Sequence, residues 1–582
     1  MRRNAQLLAA VLLCLAGAVA GYGGRKRPTH APSTPASEFP EVQTPQGRLR
    51  GSLLRSLDGR TIYSFRGVRY AQPPVGELRF KPPVPVSTSA TSSRSIVDAT
   101  KDGAFCPSIR ELNTNATSED CLFLNVYTTK LPDRRGNPRR PVMIFLHPGA
   151  LYLFRGSSDL FGPQYLMDED IVLVTLNYRL GALGFLSTGD SVLPGNNGFK
   201  DQVIAFRWVQ QNIALFGGDP GSVTIAGYSA GSISVYLHML SPMSRGLFHR
   251  GMAMSGADLT KGITDPLGQA RLQARLVNCT DTTSEEIINC LKGKDAFEIA
   301  ESAAILYQWN SSTPSSFGYV VEQDLGDGAE RFVTADVTEQ LLKGNFAQIP
   351  LISGSTKDEL TWLPIQTLEG NFSQSAVDSY VTALLTGLFQ DRNATELAEL
   401  IQQVKEFYFN DRQTANETGV ALGQLYSDII VIFPVDRATK LVSRRNTAPV
   451  YYYHFVYQGR YSWAYLPGTQ TPYGVSHHDD LIYLFYISAL VPEFVNTDPE
   501  YTTVKRMTKM WSNFVKTGNP TSEKTDLVNV TWETLTPSTP RHLQIGSQLT
   551  MKQGLFYEDR IRLWERLSPL PNVSRSSRKK TG

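Results

Sequence analysis

The chain has 582 residues, 41% of them hydrophobic, and its 57 basic and 54 acidic side chains leave a formal net charge of +3. So even a balance excludes an electrostatic nucleic-acid binder, and the apolar fraction is large enough for a sizeable core. The length could hold several average domains, but large α/β enzymes fill it with one.

At the N-terminus, Arg2 and Arg3 precede an apolar run from Leu7 to Ala16 and the small-x-small triplet Ala18-Val19-Ala20. That is the pattern of a cleaved signal peptide over residues 1–20; the run is shorter than the roughly 20 residues a bilayer span needs. Residues 21–40 are rich in Gly, Pro, Thr and Ser and read as a disordered leader. Globular composition runs from 41 to 570 as a single domain without internal repeats, and 571–582 is a disordered basic tail. No stretch beyond the signal is long and apolar enough to cross a bilayer, and the tail lacks the hydrophobic end of a lipid-anchor signal. The expectation is a secreted, extracellular chain without a membrane anchor.

Cysteine usage fits that compartment. Cys14 leaves with the signal, and Cys106, Cys121, Cys279 and Cys290 remain. An even number in a secretory context predicts two disulfides. Of the three possible pairings we take the two sequence-local ones, Cys106–Cys121 and Cys279–Cys290. The rival reading is a zinc site, but the chain has no CxxC and no clustered histidines to support one. Eight N-x-Ser/Thr sequons also suit a glycoprotein: Asn115, Asn278, Asn310, Asn371, Asn393, Asn416, Asn529 and Asn572. Asn278, beside Cys279, is the weakest, and Asn115, Asn310, Asn371, Asn393, Asn416 and Asn529 are the sites we carry forward.

The middle of the chain alternates apolar runs with helical spacing. "PVMIFLH" (141–147) and "DIVLVTLNYR" (170–179) read as buried strands. "DQVIAFRWVQQNIALFG" (201–217) repeats apolar residues at helical intervals. "GSVTIAG" (221–227) is a third β-branched run, and the helix-like "AGSISVYLHML" (230–240) follows it. "QIPLISGST" (348–356) and "APVYYYHFVY" (448–457) are further strands. Such alternation predicts an α/β fold: a large, mostly parallel sheet with helices on both faces.

Between the third strand and its helix stands Gly227-Tyr228-Ser229-Ala230-Gly231, a G-x-S-x-G. In that pattern a strand turns sharply into a helix with the serine exposed at the apex, and small neighbours let the backbone close up. The pattern alone is common; its place between an apolar strand and a helix gives it weight. A serine hydroxyl needs a base, and the base an acid. Of the chain's eight histidines, His238 and His249 lie too close to Ser229 along the chain, and His454 falls within a strand. His477 and His478 sit in a loop before an apolar run, and spacing does not choose between them. "SGSTKDEL" offers both Asp358 and Glu359 as the acid. Backbone N–H donors for an oxyanion hole can come from Ala230, just after the serine, and from Gly149 and Ala150 in "LHPGAL". Pro148 has no N–H to give.

These residues resemble the carboxylesterase/cholinesterase family of α/β hydrolases, most closely its arthropod carboxylesterases. The resemblance spans about Glu41 to Leu567. It rests on "SFRGVRYAQPPVGELRF" (64–80), "EDCLFLNVY" (119–127), "NYRLGALGFLS" (177–187), "PGNNGFKDQ" (194–202), "FGGDPGSVTIAGYSAG" (216–231) and "WSNFVKTGNP" (511–520). It implies an α/β-hydrolase fold and a Ser-Glu-His triad. The family's nucleophile falls on Ser229. Its acid falls on Glu359, through the G-x-x-x-D-E pattern from Gly354. Its base falls on His477, through the G-V-x-H pattern from Gly474. Its oxyanion donors fall on Gly149, Ala150 and Ala230, and its two N-terminal disulfides match the pairing above. Arg179 and Asp201 match a buried ion pair of structural purpose. The resemblance implies a small ester as substrate and neither cofactor nor metal.

Several positions depart from the family pattern. Pro148 replaces a glycine of the oxyanion loop. His478 stands where glycine usually follows the base. Leu151 replaces a common phenylalanine, and Ser232 a glycine or alanine. Tyr228 precedes the serine where cholinesterases carry glutamate, and the segment from Cys106 to Cys121 lacks their choline-binding tryptophan, which argues against a choline ester. The alternative to an enzyme is an extracellular adhesion relative of the same fold that has lost its triad; here all three positions are filled.

Overall fold

The computed structural model describes residues 39–86, 95–109, 116–306, 317–368, 373–389, 392–410, 412, 414–466 and 468–571. The signal peptide, nearly all of the leader and tail, and Asn115, Asn310, Asn371 and Asn572 lie outside these residues.

A small sheet, in the order β1-β2-β5, comprises β1 (Glu41–Thr44), β2 (Gly47–Arg50) and β5 (Ile96–Asp98). The main sheet has eleven strands: β3 (Ser52–Arg55), β4 (Thr61–Arg69), β6 (Phe123–Thr128), β7 (Arg140–Leu146), β8 (Val172–Leu176), β9 (Gly218–Tyr228), β10 (Arg250–Met254), β11 (Leu351–Thr356), β12 (Val450–Phe455), β13 (Arg541–Ile545) and β14 (Leu549–Gln553). Their order is β14-β13-β12-β11-β10-β9-β7-β8-β6-β4-β3. From β8 through β13 every neighbouring pair is parallel. Both edges are closed by antiparallel pairs. This is the large, mostly parallel sheet that the alternating pattern predicts, in the arrangement that the resemblance implies.

The parallel strands form because their apolar residues can be buried on both faces. β7 shows the division residue by residue. Val142, Ile144 and Leu146 enter one core with Phe199, Val203 and Phe206 of the helix Asn197–Asn212. Met143 and Phe145 enter the other with Met507, Met510, Trp511 and Phe514 of the helix Tyr501–Thr517. Alternate residues of a strand point to opposite faces, so one seven-residue strand supplies both cores.

The helix read from spacing over 201–217 starts earlier, at Asn197. Its last turn, Ile213–Phe216, tightens to a 3₁₀ turn that ends at Gly217 in left-handed backbone. One correction concerns membrane spans. Among the described residues, the continuous helix Ala415–Arg445 is long and apolar enough to cross a bilayer, although none was expected beyond the signal. In this fold 72% of its most apolar window is buried inside the protein, so it packs as a core helix.

The chain passes from β7 to β8 on one side and then to β9 on the other. That reversal opens a crevice at the carboxyl ends of β7 and β9, where open α/β sheets hold their ligands.

Candidate active site

Ser229 is the single residue between β9 and the helix Ala230–Leu240, with φ 54° and ψ −116°. A residue with a Cβ is strained there, at a cost of about 1–3 kcal/mol. Its surroundings hold it. The Ser229 N–H donates to the Met254 carbonyl at 2.8 Å, and its own carbonyl accepts from Ile233 N–H at 3.0 Å. The glycines of the motif are steric requirements. A Cβ on Gly227 would collide with the Gly231 carbonyl, and one on Gly231 with the Leu146 carbonyl at the end of β7. The sequence therefore packs the start of the helix directly against the β7 loop.

Glu359 follows β11 on a short return. Its Oε1 accepts the N–H of Thr356, the last residue of that strand, at 2.8 Å. His477 lies on the loop after β12. The two loops are laced together: Asp358 N–H donates to Val475 O at 2.9 Å, and His477 N–H to Glu359 O at 2.7 Å. Val475 N–H also donates to Asp358 Oδ2 at 2.9 Å. On this frame the His477 Nδ1–H is hydrogen-bonded to Glu359 Oε2, both side chains being buried. The two acids left open by spacing thus have different roles. Asp358 fastens backbone, and Glu359 meets the imidazole. The His477 ring also packs on Tyr228, the neighbour of Ser229, at 5.0 Å between centroids.

Tyr228 is fully buried. Its Oη accepts the N–H of His478 at 2.8 Å, and the Asp480 carboxyl lies near it. Tyr453 donates to the same carboxyl at 2.9 Å. Burial raises Asp480 to about 7, and the nearby Glu359 charge adds to the rise. The two tyrosine hydroxyls and His477 oppose it.

The loop after β7 carries Gly149, Ala150 and Leu151 at φ 117°, 51° and 70°. The Gly149 carbonyl accepts N–H groups from Tyr152 at 3.0 Å and Leu153 at 2.8 Å, closing a tight turn. His147 anchors its base. Its ring stacks on Tyr178 at 4.3 Å and its Nδ1–H donates to Pro148 O at 2.7 Å. Burial pushes His147 down to about 4, so it stays neutral. Ala230 is the first residue of its helix, where an N–H has no partner within the helix.

Residues 38–564 match the Carboxylesterase family. The chain belongs to this family. The carboxylesterase is 37% identical over 505 residues to Esterase FE4 of Myzus persicae, covering 84% of this chain and 87% of that protein. It is 35% identical over 575 residues to the Juvenile hormone esterase of Tribolium castaneum, covering 92% and 94%. Among solved structures it is similar to the juvenile hormone esterase from Manduca sexta with OTFP covalently attached. There the TM-score is 0.80 at 28% identity, over 91% of this chain and 99% of that one.

Cys106 is bonded to Cys121 and Cys279 to Cys290. Arg179 and Asp201 form a buried bidentate pair, Nη2 to Oδ1 at 2.7 Å and Nε to Oδ2 at 2.8 Å. Asn393, Asn416 and Asn529 are exposed. His238 is buried between Ser244 and Gln202, and His454 is stacked on Phe556, away from this cluster. The Ser232 hydroxyl donates to the Gly256 carbonyl at 2.5 Å. Sequence reading missed Asp480 and the ring of Trp463, which packs on His478 at 5.2 Å. "HHDD" displays Asp480 to the eye, but only the fold shows which groups face it.

Proposed function

We propose that this carboxylesterase is a secreted serine esterase acting through Ser229, Glu359 and His477. The observation that carries the reading is the contact of His477 Nδ1 with Glu359, beside the strained turn at Ser229. Ser229 Oγ attacks the ester carbonyl, and His477 Nε2 takes its proton. His477 returns that proton to the leaving alcohol, and an acyl-enzyme remains. Water, activated by the same imidazole, then releases the acid. Glu359 fixes the tautomer and balances the imidazolium charge. The N–H groups of Gly149, Ala150 and Ala230 receive the oxyanion. None of these steps calls on a metal or cofactor.

Secretion is supported by the signal-like residues 1–20 and the two disulfides. The proposed organisation is a signal over 1–20, a leader over 21–40, one catalytic domain over 41–570 and a tail over 571–582. Glycans are proposed at Asn115, Asn310, Asn371, Asn393, Asn416 and Asn529.

The test is hydrolysis of a short-chain p-nitrophenyl ester by secreted protein beside Ser229→Ala, with labelling by an organophosphate. We expect one label per chain on Ser229 and a loss of about 10⁴-fold or more in kcat for the variant. A variant within a few-fold of wild type overturns the assignment.

A further inference from the structure

We propose that Phe154, Trp463 and His478 form the wall that receives the alcohol portion of the ester, and that this wall selects a flat aromatic alcohol. The proposal rests on the reading of Ser229 and His477 as the reacting pair.

The three rings come from distant loops and meet at one point. Phe154 lies 5.7 Å from Trp463 at 79° and 5.7 Å from His478 at 63°, and Trp463 lies 5.2 Å from His478 at 54°. Mutually inclined rings make a corner that offers faces and edges together, the geometry that aromatic guests prefer. Each of the three residues is half-buried, with the Trp463 Nε1 and His478 Nε2 atoms enclosed. It touches the reacting pair directly. The His478 ring is 4.2 Å from that of His477, and both pack on Tyr228, which precedes Ser229. The leaving oxygen must come within hydrogen-bond reach of His477 to receive its proton. Of the sides open to that oxygen, we take the one where His478 stands as the seat of the alcohol portion.

The wall is also held in place at some cost. Phe154 and His478 both adopt left-handed backbone, at φ 69° and 79°. Bulky residues are rare there, and such strain gathers at ligand clamps. Separate anchors hold the backbone at or beside each ring. Arg155, next to Phe154, pairs with Asp159 at 2.6 Å and lies over the Phe105 ring at 4.4 Å. The Trp463 backbone N–H donates to Asp479 Oδ1 at 2.8 Å. The His478 N–H donates to Tyr228 Oη at 2.8 Å.

The experiment compares wild type, Trp463→Ala and Phe154→Ala on three neutral esters: 2-naphthylmethyl acetate, n-hexyl acetate and methyl 2-naphthylacetate. The first two have alcohols of similar acidity, and the third moves the ring to the acyl side. We expect kcat/KM for 2-naphthylmethyl acetate to fall about tenfold in each variant, with the other two esters within about threefold of wild type. Calorimetric binding of 2-naphthalenemethanol weakens in parallel. Equal losses on all three esters, or a loss confined to the acyl-side ester, overturn the wall. The two variants lie on different loops, so if one does not fold the other decides. If wild type hydrolyses neither these three nor a p-nitrophenyl ester, the esterase reading falls; the wall then stands or falls on binding of the alcohol, and equal affinity in wild type and variants removes it.

Discussion

The hydroxyl of Tyr228, the residue before the candidate nucleophile, accepts the backbone N–H of His478, the residue after the candidate base, at 2.8 Å. One phenol thus joins the end of β9 to the loop that carries His477. Tyr228→Phe keeps the ring contact with His477 and removes this link. A buried N–H left without an acceptor costs about 1–3 kcal/mol. We expect kcat about tenfold lower with KM little changed, and a lower melting temperature. Unchanged kcat in a folded variant would show that the phenol only fills space.

Glu359→Gln tests the contact with His477 Nδ1. The amide preserves shape but removes the charge that fixes the tautomer and balances the imidazolium. By comparison with other triads, kcat should fall by about 10³–10⁴-fold while the fold is retained. Circular dichroism and single-turnover acylation read the two effects separately. Asp358→Asn, one residue away, should instead weaken the lacing to Val475 and act mainly on stability.

Arg179→Met removes one side of a buried pair. Asp201 is 0% exposed and would keep its charge without a partner. The expected loss is about 3–5 kcal/mol in chemical denaturation, with kcat of the surviving folded fraction nearly normal. A loss of activity without a loss of stability would mean that the pair belongs to the reaction.

Burial, with the nearby charges of His542, Lys357 and Arg560, pushes His454 down to about 3. An unfolded histidine titrates near ~6.5. Between those values the unfolded chain holds a proton that the folded chain lacks. The stabilising contribution is therefore complete above about 6.5 and is lost as pH falls toward the folded value. His454→Phe keeps a ring to stack on Phe556 and removes the titration. Between pH ~6.5 and ~5 the wild type should lose about 2 kcal/mol relative to the variant. Denaturant midpoints at the two pH values measure it; a constant difference would place the His454 proton elsewhere.

What could be read in the sequence follows from what each residue reports locally. β7, β8 and the end of β9 are buried on both faces and appear as largely apolar runs, while β11 and β12 are wholly buried and are announced by the apolar or aromatic residues Leu351, Ile352 and Val450 to Tyr453. The antiparallel edge strands escape notice: β3 alternates half-buried with exposed residues, and β4 and β6 carry polar residues within the run. Ser229 stands out because a strand-to-helix turn has a local signature in its glycines. The choice between Asp358 and Glu359 has none. It depends on a return that turns one carboxylate to Val475 and the other to His477. Phe154, Trp463 and Asp480 are silent for the same reason, since their neighbours come from remote parts of the chain. The span test failed in the other direction: Ala415–Arg445 was passed over in sequence, yet it forms one helix apolar enough to be mistaken for a membrane segment until its burial is seen.

Asp479 holds both ends of one loop. Its carboxylate accepts from the Ser462 hydroxyl at 2.9 and 2.8 Å, from Trp463 N–H at 2.8 Å and from Ser476 N–H at 2.8 Å. The loop is in effect a cassette, clasped at both ends by Asp479 and again at Val475 by Asp358. A change of length or composition confined to the stretch between Ala464 and Tyr473 leaves these clasps in place beside the imidazole. Related chains, or an engineer, can exchange that segment to reshape the approach to the centre while leaving the proton-transfer geometry intact.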